Sequence, residues 1–274
     1  MALFSLRIIT SEPELTSLQL FELGAQGIEE REHPAGAELV LYAEAEAELL
    51  GLSAELDPAH IQGVRVVIER DGWETAWGDQ LEPIELCRGY WVKPTTAHAH
   101  APAGVRTIAI EPDLAFGIGN HPTTQLAAEA LLVHARGAQR VLDVGTGTGV
   151  LSFLARLQGA ERVLGLEIEP RALRSARKNA ALNPRVSPVE FSATPLAELA
   201  EEPWDVVVAN IETPVLLELA PALMRAAARS RALILTGVLS DQLGELLRAY
   251  EGLGARPLSI ADRDDWRLVV LKPS

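Results

Sequence analysis

The sequence predicts an α/β protein in two parts. The larger part is a doubly wound, mostly parallel sheet with an antiparallel edge hairpin. It is preceded by a small α+β domain of ferredoxin-like layout. Three observations predict this. From residue 141 onward, near-continuous apolar runs alternate with helix-like segments, the mark of a parallel sheet covered on both faces. The last two strand-like runs have no helix between them, so they form an antiparallel hairpin at one edge. The first seventy residues read in the order βαββαβ.

LFSLRIIT (residues 3–10) is strand-like, and EPELTSLQLFELGA (12–25) is helical, with Leu15, Leu18 and Phe21 on similar sides. GIEERE and AELVLYA read as a hairpin turning near residues 34–36. Residues 45–56 form a second helix and VRVVIERD (64–71) the last strand. The stretch DGWETAWGDQLEP is rich in Trp and turn residues and reads as a linker. The expected division is a first domain over 1–70, a linker over 71–84 and a second domain over 85–274. A stretch punctuated by Pro, Gly and His runs to Gly104. In AFGIGNHPTT (115–124), Pro122 and Thr123 suit a helix start. Strands follow at RVLDVG, RVLGLEI, VEFSA, WDVVVANI, RALILTGV, ARPLSIAD and DDWRLVVLKP. Helices are expected at GVLSFLARLQGA, PRALRSARKNAALN, PVLLELAPALMRAAA and SDQLGELLRAYEGLG.

Composition narrows the function classes. The chain has 274 residues, 48% apolar, which is enough for a sizeable core. No apolar stretch reaches the roughly 18 residues of a membrane span. The opening MALFSLRIIT lacks the basic and long apolar regions of a secretion signal. A single cysteine, Cys87, permits neither an intrachain disulfide nor a cysteine-based metal site, and a reducing cytoplasm fits. His98 and His100 have no other ligand nearby and read as polar loop residues, so no metal is expected. The net charge of −14 argues against broad nucleic-acid binding and permits a basic protein partner. Residues 1–70 hold 13 acidic and 4 basic residues, a net of −9, so most of the excess sits on that quarter.

The chemistry centres on VLDVGTGTGV (141–150). Gly145, Gly147 and Gly149 form G-x-G-x-G, but Val150 stands where the dinucleotide fingerprint needs Gly or Ala. No lysine follows as a phosphate-binding loop requires. The turn suits S-adenosylmethionine (AdoMet), which has no phosphate. Its carboxylate fits a helix N-terminus, and its ammonium and sulfonium are favoured by acidic groups such as Asp143. Glu167, 22 residues after Gly145, ends the second strand where ribose hydroxyls can be accepted; Glu169 is the weaker candidate. The plain alternative for Glu167 is a solvated strand-end carboxylate. Asn210 lies just past a buried strand at the carboxyl edge, where an amide can orient a donor methyl or an amine. Its plain alternative is a turn cap.

Together these segments resemble the bacterial PrmA family, the methyltransferases of large-subunit ribosomal protein L11. The pieces are DGWETAW, EPDLAFGIGNHPTT, VLDVGTGTGVL, GLEIEPRAL, VVANIETPVLLELAP, LTGVL and the final DDWRLVVL. The match is clearest from Asp71 onward; before that it is one of layout and length. The resemblance implies a class I AdoMet-methyltransferase sheet, with AdoMet bound by Thr124, Gly145, Glu167 and Asn210. It also implies that several lysine ε-amines or the N-terminal α-amine of ribosomal protein L11, free or on the large subunit, are methylated repeatedly. Three departures stand out. Ile118 replaces a common Thr, Glu167 replaces the usual Asp, one methylene shorter, and GDQ (78–80) replaces the basic residues usual after the second Trp.

The reaction so implied is in-line attack of a neutral amine on a sulfonium methyl, with positioning as the main contribution. Asn210, Phe116 and Thr123 are expected to hold the amine. No general base is evident, and His121 reads as a structural residue. Alternatives are another methyl acceptor (protein, RNA or small molecule), a nicotinamide-dependent oxidoreductase, and a non-catalytic binding module.

Overall fold

The computed structural model describes residues 3–273, except 24, 26, 27, 35, 44, 45, 57, 70–81, 113–118 and 187. The chain divides into two compact units, Met1–Trp77 and Gly78–Ser274. The expected linker falls largely outside the described residues.

The first unit runs β1 (Leu3–Thr10), α1 (Pro13–Glu22), β2 (Glu29–His33), β3 (Gly36–Ala43), α2 (Glu46–Ala54) and β4 (Ile61–Glu69). Its sheet order is β2-β3-β1-β4, with β1 antiparallel to both neighbours, which is the ferredoxin-like topology. Leu6, Ile8, Leu39 and Leu41 point to one sheet face and pack with Leu20 and Leu49 of the helices. On α1 the structure corrects the expected face. Leu15 and Phe21 are exposed, while Thr16 and Leu20 are buried. Apolar residues at 15, 18, 20, 21 and 23 offer two overlapping stripes, and sheet packing selects the one through Leu20.

The other sheet face carries three of this unit's four basic residues. Arg7 lies opposite Val40 and Arg65, and Arg31 opposite Glu38. Arg31 forks onto Glu29 at 2.8 and 2.9 Å, and Arg65 reaches Glu38 at 3.1 Å. The unpaired acidic excess therefore sits elsewhere, including the exposed helical residues Glu14 and Glu48.

The second unit begins with three short strands, β5 (Ile84–Cys87), β6 (Tyr90–Pro94) and β7 (Arg106–Ile110). No strand is expected there from the sequence, because runs of four or five residues broken by Gly and Pro carry little periodicity. Their Leu86, Val92, Ile108 and Ile110 pack into the same core as Leu126 and Leu131 of α3 (Pro122–His134).

Then the alternation expected from the sequence unfolds as β8 (Arg140–Val144), α4 (Val150–Leu157), β9 (Arg162–Leu166), α5 (Pro170–Leu182), β10 (Glu190–Ser192) and β11 (Val206–Asn210). It continues through α6 (Thr213–Glu218), α7 (Ala220–Ala226), β12 (Ala232–Leu239), α8 (Leu243–Gly252), β13 (Arg256–Arg263) and β14 (Trp266–Lys272). The order is β10-β9-β8-β11-β12-β14-β13. The first five strands are parallel; β14 is antiparallel to β12 and β13. Val206 and Val208 join one core cluster and Val207 and Ala209 the other, so the sheet is buried on both faces. The single helix expected over 214–228 is two, meeting at Leu219. Pro221 has no N–H to donate and its ring would meet the carbonyl of Leu217, so the helix breaks there.

At the amino ends of these strands Trp204 is fully buried. The guanidinium carbons of Arg140 and Arg162 lie 5.3 and 5.5 Å from its ring centroid, and both arginines bond Glu202. Trp204→Ala is expected to lower unfolding stability by about 3–5 kcal/mol through the cavity it opens. Equilibrium denaturation monitored by circular dichroism measures it; a loss below about 1 kcal/mol would show the residue to be dispensable to packing.

Candidate functional site

Parallel strands all end at one sheet edge, and the loops that follow them build a shared crevice there. In this chain the crevice is a cavity of about 910 Å³. Gly145 and Gly147 line it from the loop after β8, Glu167 and Glu169 from the loop after β9, and Asn210 from the end of β11. Thr123, at the start of α3, also reaches it. A smaller cavity of about 260 Å³ lies around Trp204 and Arg225, and none of the expected site residues lines it.

The glycine loop is shaped by steric necessity. Gly145 has φ +71°, and a Cβ there would lie 2.4 Å from Ile211 Cγ2. Gly149, at φ +86°, starts α4 with no side-chain cap. The loop is tied to β9 by Gly145 and Thr146, whose N–H groups donate to the Leu166 carbonyl at 2.9 and 3.0 Å. Glu167 closes the arrangement. Its Oε2 accepts from Gly147 N at 3.0 Å and its Oε1 from Glu169 N at 3.1 Å. Each oxygen keeps a lone pair for a further donor. Glu169 turns away from the strand axis to cap α5, accepting from Ala172 N at 2.6 Å. Backbone N–H groups of Arg171 and Ala172 hold its carboxyl below the usual range.

Asp143 sits beneath the loop and does not line the cavity. Its Oδ2 accepts from Thr146 Oγ1 at 2.6 Å and Ser152 Oγ at 2.7 Å. Burial pushes its carboxyl from the ordinary 3.8 up to about 6, against the lowering effect of those two hydroxyls. Its Oδ1 is buried with no partner among the described residues. Thr124 also lies behind the wall, fully buried, and accepts from Asn210 Nδ2 at 3.4 Å. That contact leaves Asn210 Oδ1 as a buried acceptor without a partner among the described residues. Phe116 and Ile118 lie outside the described residues.

Three contributions escaped the sequence reading. Asn179 of α5, fully buried, donates to the Thr148 carbonyl at 3.0 Å and accepts from Glu111 N at 2.9 Å. It thereby braces the glycine loop from the segment after β7, and nothing in its local sequence marks it. Gly237 of β12, at φ +90°, passes so close to Ile211 that a Cβ would stand 2.3 Å from that carbonyl oxygen. Trp266, at the start of β14, lines the cavity with its ring centroid 5.0 Å from that of His121. The LTGVL and DDWRLVVL segments held the signal for the last two. His121 is the N-cap of α3, accepting from Thr123 N at 3.3 Å, and burial lowers its pKa.

Comparison with known proteins is consistent with this geometry. The family model described as "Ribosomal protein L11 methyltransferase (PrmA)" matches residues 11–273. A protein named ribosomal protein L11 methyltransferase in Azotobacter vinelandii is 40% identical over 185 residues, covering 68% of this chain and 63% of that protein. One of the same name in Enterococcus faecalis is 33% identical over 207 residues, covering 75% and 65%. The match thus spans slightly less than two thirds of these relatives' length. A crystal structure titled ribosomal protein L11 methylase, from Lactobacillus delbrueckii subsp. bulgaricus, superposes with TM-score 0.64 at 28% identity, over 71% of this chain and 100% of that one.

The raised Asp143 pKa makes a stability prediction. The folded state binds this proton more tightly than the unfolded chain, so its contribution is fully present below about pH 4 and is lost as pH rises through about 6. Asp143→Asn should flatten the stability profile between pH 4 and 6 by up to about 3 kcal/mol. Urea denaturation of both proteins across that range checks it, and parallel profiles would remove the buried carboxyl as the cause.

Proposed function

On the premise that the chain belongs to the ribosomal protein L11 methyltransferase (PrmA) family, we propose that it transfers methyl groups from AdoMet to amines of ribosomal protein L11. The amines are lysine ε-amines, the N-terminal α-amine, or both. The observation that carries this reading is one cavity lined by Gly145, Gly147, Glu167, Asn210 and Thr123 at the carboxyl edge of a parallel sheet.

The residues present suit that donor. The Gly145–Gly147 backbone admits close approach that any Cβ would block. Glu167 is placed to accept from ribose hydroxyls while remaining bonded to the loop. AdoMet supplies an electrophilic methyl on a sulfonium. Asp143, in this reading, acts on the donor through the loop it organises. Thr124 acts through Asn210.

On the acceptor side, Asn210 Oδ1 would take an amine N–H and so aim the nitrogen lone pair. Apolar walls such as Val144, Leu166 and Ile211 disfavour an ammonium, while Glu212 and Glu218, also in the lining, favour it. Burial lowers the His121 pKa and so disfavours a second positive charge beside the amine. The proton leaves to solvent; no side chain here is required as a base. Phe116 and Thr123 would complete the amine site.

Residues 1–70 form the recognition domain in this reading, residues 71–84 the linker, and residues 85–274 the methyltransferase domain. The acidic first unit suits a basic ribosomal protein, free or assembled, better than RNA. Among the described residues no helix is long and apolar enough to cross a membrane, and no group of three or more His, Cys, Asp or Glu is placed to hold a metal. The cytoplasm is the compartment proposed.

Mass spectrometry of ribosomal protein L11 from cells with and without this gene tests the reading; identical masses overturn it. Glu167→Ala should weaken AdoMet binding by about 1–3 kcal/mol, while Glu167→Asp should be mild. Calorimetry giving unchanged affinity for the alanine variant would take Glu167 out of the site.

Charge makes a second prediction. If the −9 unit steers docking, association with ribosomal protein L11 slows as salt rises, since at about 0.15 M screening acts beyond roughly 8 Å. AdoMet affinity should change far less, its contacts being local. Stopped-flow association at low and high salt decides: a salt-independent rate assigns the acidic surface to solubility alone.

A further inference from the structure

The cavity is wider than a methyl donor held by Glu167 and the glycine loop needs. Those groups close β9 and β8, and Asn210 closes the adjacent β11. Trp266 opens β14, two strands beyond β11, with β12 between. At about 4.8 Å per strand spacing, its strand lies about 10 Å past Asn210 and about 14 Å past the glycine loop, on the side away from Glu167. A donor spanning β9 to β11 leaves that end of the cavity open for the other reactant.

The fold puts an aromatic ring at that end for a topological reason. Every parallel strand brings its last residues to the carboxyl edge. Because β14 runs antiparallel to β12, it brings its first residue there instead. Register shifts between Thr236 and Val238, where Gly237 presses on the Ile211 backbone; Leu239 then pairs with Trp266. Bulges of this kind re-aim neighbouring side chains. Trp266 is half-buried, resting on the core cluster that includes Leu268 and Leu131, and it also lines the cavity. His121 meets it edge-on, with an interplanar angle of 67°.

We propose that Trp266, held in place by His121, is the acceptor wall of the transfer site and determines how far an amine can be methylated. This rests on the amine methyltransferase reading above. An aliphatic amine changes as it is methylated. It loses N–H donors one by one and gains methyl groups, so Asn210 Oδ1 has progressively less to hold. An indole face serves the opposite trend, since it attracts alkyl-ammonium groups without needing an N–H. In each transfer the N–CH₃ bond forms as the S–CH₃ bond breaks, and the product is an ammonium held against the Trp266 face. After the first and second transfers that ammonium still carries an N–H, loses the proton to solvent and turns the freed lone pair toward a fresh donor; a third transfer leaves a quaternary ammonium with no proton to lose. Trp266 is thus a specificity-determining residue, and His121 a positioning residue that acts through it.

The test uses the full chain with Trp266→Phe, Trp266→Leu and His121→Asn. Leucine keeps apolar bulk and removes the π face; asparagine keeps an N-cap acceptor and removes the ring that meets Trp266. The substrate is ribosomal protein L11, with AdoMet affinity read by calorimetry and the number of methyls per amine by mass spectrometry. The expected result is AdoMet affinity within about twofold of the parent in all three. Trp266→Leu should lose about tenfold in kcat/KM and accumulate monomethylated product. Trp266→Phe, which keeps a smaller and weaker π face, should fall between the parent and Trp266→Leu, and His121→Asn should shift the products in the same direction as Trp266→Leu. If Trp266→Leu does not fold, the product pattern of His121→Asn decides alone. An unchanged product distribution, or AdoMet affinity falling in step with transfer, overturns the assignment. A parent enzyme that methylates nothing in ribosomal protein L11 overturns the underlying reading and this inference with it; normal transfer by Trp266→Leu overturns this inference only.

Discussion

A buried carboxylate organises the site. Asp143 stands one residue before the end of an apolar strand, away from water, where a carboxylate needs hydrogen-bond donors from its neighbours. It accepts the hydroxyls of Thr146 in the glycine loop and Ser152 in the first turn of α4. One side chain thus sets the strand, the turn and the helix start relative to each other. The N–H groups of the turn are left facing the cavity edge, where Glu167 and Leu166 of the adjacent strand hold them. The pKa raised to about 6 is the energetic trace of that burial. Its value to the molecule lies in shape: a loop with three left-handed glycines keeps one conformation because a buried group on either side demands it.

From this anchor the rest of the cavity follows by strand order. β9 and β10 lie on one side of β8, and β11, β12 and β14 on the other. A ligand lying across these strand ends meets backbone and carboxylate first, then an amide, then an aromatic ring. The three-stranded layer of β5 to β7 has a supporting part. It packs under α3, whose first turn carries His121, Thr123 and Thr124 to the cavity or its wall. Asn179 and Asn183 fasten that layer to α5 through Glu111 and Ala109. The first unit is built separately, with its own core and an Arg-Glu lattice on its open sheet face.

Much of this was legible in the sequence, because its signals are local. Strand and helix alternation follows from side-chain periodicity. The G-x-G-x-G turn follows from the positive φ that only glycine adopts freely. Glu167 and Asn210 could be placed at strand ends because apolar runs of about five residues mark where each strand stops. The antiparallel hairpin needed only the absence of an intervening helix. Where the signal was ambiguous, the reading failed: α1 had two apolar stripes, and Pro221 split a segment whose composition was helical throughout.

The sequence by itself therefore determined the fold class, the family resemblance and the residues at the carboxyl edge, since each rests on neighbours within one turn or strand. Only the tertiary structure decided which of those residues face the cavity and which stand behind it. Asp143 and Thr124 are buried behind the cavity wall and Asn210 lines it, because the distinction depends on what other strands and helices lie over each atom. The same holds for Trp266. Its place beside His121 depends on a strand that inserts, antiparallel, between β12 and β13 and so joins residues that lie 145 positions apart in the chain.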